Sequence, residues 1–537
     1  MSRVIIIGWD GATWDLLKPW AAAGHLPAVA QLLKQGYHAP LRSTIQPLTA
    51  VAWSSFLTGA LPGQHGLYDF VRRVPNSYNL QLTGRHHRQL PGLWQLLSQH
   101  NKRVAAVNVP MMVPVTPVNG ILVGGIDAPG LNEQTVYPPE FIPQLKQTVP
   151  DYRIAASERT LSAWEKSLRA MVNGRSQLLH HLRQQEDWDC LMVVYSATDI
   201  VQHIFWGHMA RQEEPYANLI RDIYQACDRD LGHLLNNIND NTTLILMSDH
   251  GAGPLTGALY INRYLEQGGF LQRQTPPPHL QASRHLLKTA KKYLPAAARA
   301  WLRHRFGNVR DNLESNLLTA AYNWPQTEVY SLGSYGNLFV NLIGRDPQGT
   351  VSPDQLPQLQ QRLEQHLSQL KDPNHGAPLV KKLWPRQQLY TGPATDTAPD
   401  FIIEWADYGY EVRARFGQDG DHYFAPTMPL NDLAPETVLA GTHRMDGVLA
   451  ALGRGVHPQT DDTPPHITTL APTIMHLLGL PIPPQMSSPP LPALSHNLPQ
   501  PRYLTTDDHN TPHNETGLEA DDEALILDRL RQLGYLG

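Results

Sequence analysis

The chain has little cysteine, no long apolar run and no surplus of positive charge, and each shortage removes a class of function. Only two cysteines, Cys190 and Cys227, occur among 537 residues, so neither a disulfide framework nor a CxxC metal site can be built. That scarcity suits a reducing compartment. The most apolar region, residues 104–125, is broken by Pro110, Pro114 and Pro117, and no run reaches the roughly eighteen apolar residues that a membrane-spanning helix needs. A formal net charge of -5 offers no basic surface for nucleic acid. Met1-Ser2-Arg3 leads straight into Val4-Ile5-Ile6-Ile7-Gly8, which is too short for a signal peptide and lacks a small-residue cleavage site. The expectation is a soluble, cytoplasmic protein with no nucleic-acid partner and no transmembrane segment.

What the chain does carry is a set of short apolar runs at 4–8, 103–109, 190–195 and 243–247, separated by helical patterns. Unbroken runs of this kind belong to strands covered on both faces, and their alternation with helices predicts an α/β fold with a mostly parallel central sheet and helices on both faces. Three of the runs hand over to acidic residues: Asp10 after the first, Asp199 within SATDIVQH after the third, and Asp249 after the fourth. In such sheets ligands bind beyond the carboxyl ends of the strands.

Residues 43–70 hold the most suggestive local pattern. Thr49 follows Gln46-Pro47-Leu48 and opens a run, Val51, Ala52, Trp53, Phe56, Leu57, spaced like one buried helical face that ends at Thr58-Gly59. A hydroxyl at a helix N-terminus lies where unpaired amides and the helix dipole would hold an anion. Taken alone, Thr49 reads more economically as a simple N-cap.

The groups that must meet extend from residue 10 to residue 443, which argues for one catalytic domain over 1–495 carrying insertions. One, at about 128–188, is proline-rich loop plus a helix near 162–185 and suits a lid. Another, at about 271–325, is a basic helical segment with Arg284, Lys288, Lys291 and Lys292, read as a solvated face sooner than an anionic-surface patch. Further strands are expected at 337–342 and 400–405, helices at 216–236 and 355–370, a linker at 487–513, and an acidic stretch before a short helix at 524–533. Residues 496–537 thus form a linker and a C-terminal acidic and helical tail.

Asp199 and His203 are four residues apart, so on a helix they face the same way and can share one metal ion. Asp249-His250 at a strand end, Asp10, and His443 in GTHRMDG are each ordinary when taken singly, since 25 histidines are available. Together they supply oxygen and imidazole ligands without thiolates, a donor set that suits zinc or manganese. Two such ions clamp the attacking and leaving oxygens of a phosphoryl group.

In this order the motifs Trp9-Asp10-Gly11, Thr49 ahead of TGALPGQHG, Asp199-x3-His203, Ser248-Asp249-His250-Gly251 and Gly441-Thr442-His443 resemble the type I phosphodiesterase and nucleotide pyrophosphatase branch of the alkaline phosphatase superfamily. The likeness covers nearly the whole chain, and is nearest to large prokaryotic proteins described as phosphohydrolases or phosphomutases. It implies an alkaline phosphatase-like fold and two divalent ions, Zn2+ or alternatively Mn2+. Asp10, Thr49, Asp249 and His250 would hold one ion, and Asp199, His203 and His443 the other. It also implies Thr49 as nucleophile, a phosphothreonine intermediate, amides at Ala50 and Val51 that receive developing charge, and a small phosphorylated substrate, with diesters or pyrophosphates favoured.

The chain departs from secreted nucleotide pyrophosphatases, which carry Thr-Phe-Pro-Asn at the nucleophile and a phosphoryl-contacting asparagine shortly after His-Gly. Here those stretches read Thr49-Ala50-Val51-Ala52 and Leu67-Tyr68-Asp69-Phe70, so the asparagine contact does not carry over. A sulfatase would need Cys or Ser at position 49 and Arg at the position of Trp53. Two rivals stay open at this point. One is a phosphomutase of the cofactor-independent phosphoglycerate mutase type, which would return the phosphoryl group under a water-excluding lid. The other is a non-catalytic protein that binds metal and a phosphorylated ligand.

Overall fold

The first apolar run is a strand, β1 (Arg3–Trp9), and it lies inside an eight-stranded sheet. The structure, a computed structural model, describes residues 2–185, 187–275, 277, 320–415, 422–426, 429–431, 434–505, 517–533 and 535. Across the sheet the order is β2 (Tyr37–Arg42), β8 (Asp446–Gly453), β7 (Thr242–Met247), β1, β6 (Cys190–Tyr195), β3 (Val104–Val109), β4 (Gly120–Gly124) and β5 (Val136–Tyr137). Strands β7, β1, β6, β3 and β4 are mutually parallel, as expected. The outer strands depart from that pattern: β8 runs antiparallel to β7, β2 to β8, and β5 to β4.

Alternation along the strands divides the interior into two cores, because successive side chains point to opposite faces. Ile7, Val107, Val193 and Leu246 enter one. Val4, Ile6, Ala106, Val194 and Met247 enter the other. The first face is covered by α1 (Trp14–Ala22), α2 (Pro27–Gln35), α4 (Phe141–Thr148), α5 (Leu161–Gln185), α6 (Ala197–Arg211) and α7 (Leu219–Leu235). Helices α3 (Thr49–Thr58) and α9 (Leu470–Leu477) cover the second, through Trp53, Phe56, Leu470 and Ile474. The stretch expected as an insertion over the site, 128–188, supplies β5, α4 and α5, whose Trp164, Leu168 and Leu178 are buried in the first core.

A third core belongs to a smaller lobe. Its four-stranded antiparallel sheet takes the order Val329–Ser331, Leu338–Val340, Phe401–Trp405, Val380–Pro385, and α8 (Leu356–Leu367) presses Leu359, Leu363 and Leu367 into it. Most of the basic segment expected at 271–325 lies outside the described residues.

Two parts of the tail differ from their compositional reading. Residues 487–505 bury Leu491, Ala493 and Leu494 in the second core, and Tyr503 bridges to Ile482; proline-rich composition concealed these few apolar anchors. The last helix, α10 (Ala520–Gln532), begins earlier than expected, and Ile526, Leu530, Leu533 and Tyr535 enter the first core. Among the described residues no helix is long and apolar enough to cross a membrane.

Topology sets the site. Beyond β7 the chain continues as a strand, Gly251–Pro254, which pairs antiparallel with Gly441–Arg444 so that Ala252 faces His443. The carboxyl ends of β1, β6 and β7 therefore meet the approach to β8 at one rim of the sheet.

Candidate active site and metal centre

Six of the seven residues singled out from the sequence form two clusters at that rim, Asp10, Asp249 and His250 in one and Asp199, His203 and His443 in the other. In each cluster the candidate donor atoms all lie within 4.8 Å of one another, and every residue is buried. Asp10 follows β1 directly, and Asp249 and His250 follow β7. Asp199 and His203 project from one face of α6, with the carboxylate 3.3 Å from His203 Nε2. A Cβ on Gly11, whose φ is +65°, would stand 2.5 Å from Asp199 Oδ1, so only glycine lets the end of β1 approach α6 this closely.

All three histidines share one arrangement. His203 Nδ1 faces the Gly441 carbonyl at 2.9 Å, His443 Nδ1 the Pro47 carbonyl at 2.8 Å, and His250 Nδ1 the Gly251 carbonyl at 3.0 Å. A carbonyl only accepts, so each Nδ1 carries a proton, and in the neutral ring it is Nε2 that offers a lone pair. Backbone carbonyls that fix the tautomer are the usual support of metal-ligating imidazoles. The Nε2 atoms of His203 and His443 are 3.1 Å apart, and the rings of His250 and His443 stack at 3.7 Å.

Thr49, the seventh residue, is the first residue of α3, and its hydroxyl lies 3.1 Å from His250 Nε2. The helix is capped by Leu48 without a side-chain hydrogen bond, which removes the N-cap alternative. One sequence expectation needs correction here. The Val51 amide already donates to the Leu48 carbonyl, the first bond of the helix, so it is not available to an anion. Among the described residues the Ala50 amide has no backbone partner.

Three carboxylates buried this close together cannot all remain charged without compensation, since each unpaired buried charge costs several kcal/mol. Burial, then repulsion from Asp249 and Asp199, holds Asp10 well above the ordinary carboxylate range. Burial raises Asp249 as well. Burial also acts to raise Asp199, but His203 with His443 and His250 outweighs it and draws the carboxyl below its usual range. Burial depresses His443, helped by the adjacent His250. One oxygen of each carboxylate, Asp10 Oδ1, Asp199 Oδ1 and Asp249 Oδ2, is buried without a hydrogen-bond partner. Orphaned acceptors beside lone-pair-bearing imidazoles form a donor set that fits divalent cations.

The sequence profile of the family described as type I phosphodiesterase / nucleotide pyrophosphatase matches residues 4–443. The chain belongs to this family. It is accordingly a phosphoric ester hydrolase, and its two buried clusters are candidate metal-binding groups. Its fold is similar to that of phosphonoacetate hydrolase from Sinorhizobium meliloti 1021, seen in complex with phosphonoformate, with a TM-score of 0.54 and 13% identity over 89% of this chain and 95% of that one. Murine ectonucleotide pyrophosphatase / phosphodiesterase 5, inactive and in complex with AMP, matches with a TM-score of 0.46 and 12% identity over 93% of this chain and 98% of that one. A mutant of alkaline phosphatase PafA matches with a TM-score of 0.48 and 14% identity, covering 91% and 99%. No curated protein matches the chain in sequence.

Two contributors escaped the sequence reading of this family member. Trp53, counted there only as part of a buried helical face, donates from Nε1 to Asp10 Oδ2 at 3.3 Å. Tyr535, 92 positions past the end of the family match, donates its phenol to Asp199 Oδ2. Indole placement on a helix that also carries Thr49 was open to inference; the tyrosine had no signal at all.

Proposed function

We propose that this phosphodiesterase-family protein hydrolyses phosphate esters, diesters or pyrophosphates in preference to monoesters, through a phosphothreonine intermediate on Thr49 and with two divalent ions. The observation that carries the reading is the shared histidine arrangement: three imidazoles, each tied through Nδ1 to a backbone carbonyl, turn Nε2 toward three buried carboxylates. Asp10, Asp249, His250 and Thr49 would hold one ion, and Asp199, His203 and His443 the other. The three imidazoles suit Zn2+, and the carboxylates admit Mn2+. Three carboxylates and one threonine alkoxide carry four negative charges, the number that two dications balance.

When bound, the ions supply Lewis acidity, lowering the pKa of a coordinated hydroxyl or water and polarising phosphoryl oxygens. The chain's own groups do the rest. Thr49 Oγ1, aimed into the cluster from the first turn of α3, gives up its proton to solvent and attacks phosphorus; the bond to the ester oxygen breaks, and the departing alkoxide takes a proton from water. The Ala50 amide and the helix N-terminus face the negative charge that develops on the phosphoryl oxygens. Trp53 orients Asp10, and the three carbonyls hold the imidazoles in one tautomer throughout. Water then attacks phosphorus, the bond to Thr49 Oγ1 breaks, and the hydroxyl is restored.

Metal-loaded protein offered p-nitrophenyl phosphate and bis-p-nitrophenyl phosphate tests this directly. Turnover of the diester, with a p-nitrophenyl phosphoryl group trapped on Thr49 and located by mass spectrometry after acid quenching, is the expected result. Two bound ions with no turnover of either ester would refute it, and phosphoryl return to a sugar phosphate substrate would identify a mutase.

A further inference from the structure

The C-terminal segment brings Tyr535 into the candidate active site. Helix α10 is seated by Ile526, Leu530 and Leu533 in the first core, and Arg529 Nη1 donates to the carbonyls of Ile126 at 3.0 Å and Ala128 at 2.6 Å. The Tyr535 amide then bonds the Leu530 carbonyl at 2.9 Å, turning the chain inward. Its carbonyl accepts from the Ser334 hydroxyl, and the Ser334 amide donates to Asp69 Oδ2 at 2.7 Å. The tail is therefore fastened to the loop that follows His65-Gly66.

Tyr535 is 4% exposed. Its ring lies 5.3 Å from that of Phe70 and 5.6 Å from those of both His203 and His443, and its phenol donates to Asp199 Oδ2. A cavity of about 30 Å³ remains beside it, lined by His203, Ser334, Tyr335, Glu411, His443 and Tyr535 among others. That is room for about two water molecules. On this side of the site a compact ester substituent meets less of the tyrosine ring than an aryl group does.

We infer that residues 517–533 with Tyr535 cap the candidate active site, and that Tyr535 sets substrate size by restricting the side next to Asp199, His203 and His443 to phosphoesters with compact substituents. This rests on the phosphoesterase reading given above and adds to it the class of ester that is admitted. The assignment depends on placement. Four polar ties and three apolar anchors position one aromatic wall, and they do so on a segment beyond the span matched by the family.

Two diesters that differ only in bulk provide the test, methyl p-nitrophenyl phosphate and bis-p-nitrophenyl phosphate. Calorimetric titration of the metal-loaded Thr49→Ala chain should show the methyl ester binding at least tenfold more tightly than the bis ester. Adding Tyr535→Ala should reduce that ratio at least fivefold, whereas Tyr535→Phe, which keeps the ring, should leave it within twofold. In chains with Thr49 intact the kcat/KM ratio should move in the same way. Hydrogen exchange on the Thr49→Ala chain needs no further variant: saturating bis ester should speed exchange in residues 520–533 and the methyl ester should not. An unchanged ratio in Tyr535→Ala, or equal exchange with both esters, overturns the cap while leaving the phosphoesterase reading intact. Failure of the metal-loaded chain to bind either ester overturns both.

Discussion

Replacing Asp10 by asparagine tests the charge argument at its centre, because it separates what the carboxylate does with a metal from what it does without one. The candidate ligand oxygens of Asp10 and Asp249 lie within 4.8 Å of each other. Two full charges at that separation repel by about 3.5 kcal/mol at an effective dielectric constant of about 20. The metal-free protein escapes this by keeping a proton on Asp10, whose carboxyl burial and the neighbouring Asp249 and Asp199 hold well above the ordinary range. In the unfolded chain the same carboxyl ionises near pH 3.9. Between that pH and the raised folded value the native state binds a proton that the unfolded state has released, so stability falls as pH rises, by about 1.4 kcal/mol per unit. Asp10→Asn has no such proton to lose. Urea unfolding in EDTA, stepped upward from about pH 4, should therefore give the variant a slope flatter than wild type by up to that amount, over the range in which wild-type Asp10 still holds its proton. A divalent ion at 100 times its dissociation constant should add about 2.7 kcal/mol per site to the wild type. The variant should forfeit one of the two increments. Parallel pH profiles together with an undiminished metal response would show that Asp10 neither shares a crowded charge nor holds an ion.

The other perturbations are simpler. Thr49→Ala should reduce turnover on the order of a thousandfold or more while both ions stay bound, since Asp10, Asp249 and His250 remain in their cluster; undiminished turnover would remove the nucleophile. His443→Ala should lower the metal content from two ions to one, measured by mass spectrometry of the native protein, and loss of neither or of both would refute the division into two clusters. His65, buried against Ser55 and held down to about 3 by burial and then by Arg88, gives the opposite pH trend to Asp10. Between about pH 3 and 6.5 the unfolded chain takes up a proton that the folded His65 refuses, so stability falls with falling pH by about 1.4 kcal/mol per unit. His65→Gln should remove that slope in urea unfolding, and identical slopes would place the titrating group elsewhere.

How much of this could be read from the sequence follows from where each group sits on the sheet. Strands β1, β3, β6 and β7 are covered on both faces, so their apolar runs are unbroken, and their bounds fall within about a residue of expectation. Ligands bind beyond the carboxyl ends of such strands, which is why Asp10 and Asp249, each just past a run, drew notice together with the other candidate ligands. Two of the outer strands, β2 and β5, were hidden. Tyr37–Arg42 alternates between buried and half-buried positions and contains Pro40, and Val136–Tyr137 is only two residues long. The anion-receiving amides were half legible: a helix N-terminus was evident, but which amide its first turn consumes depends on the cap, and Leu48 takes up Val51.

Tyr535 was beyond reach for a different reason, and the contrast separates two kinds of information in the chain. The ligands are bound to the strand-end geometry that any sheet of this order produces, so their identity is written next to a hydrophobic pattern. Tyr535 meets Asp199 across 336 positions, through a helix that owes its seat to Ile526, Leu530 and Leu533, spaced like those of any amphipathic helix. No property of the tyrosine itself distinguishes it from the other nineteen in the chain. The chemistry of the reaction thus sits on the part of the fold that patterning reveals. Selection of the substrate sits on a segment whose meaning appears only when it is closed over the site, and variation in that tail can change which esters are admitted without touching a ligand.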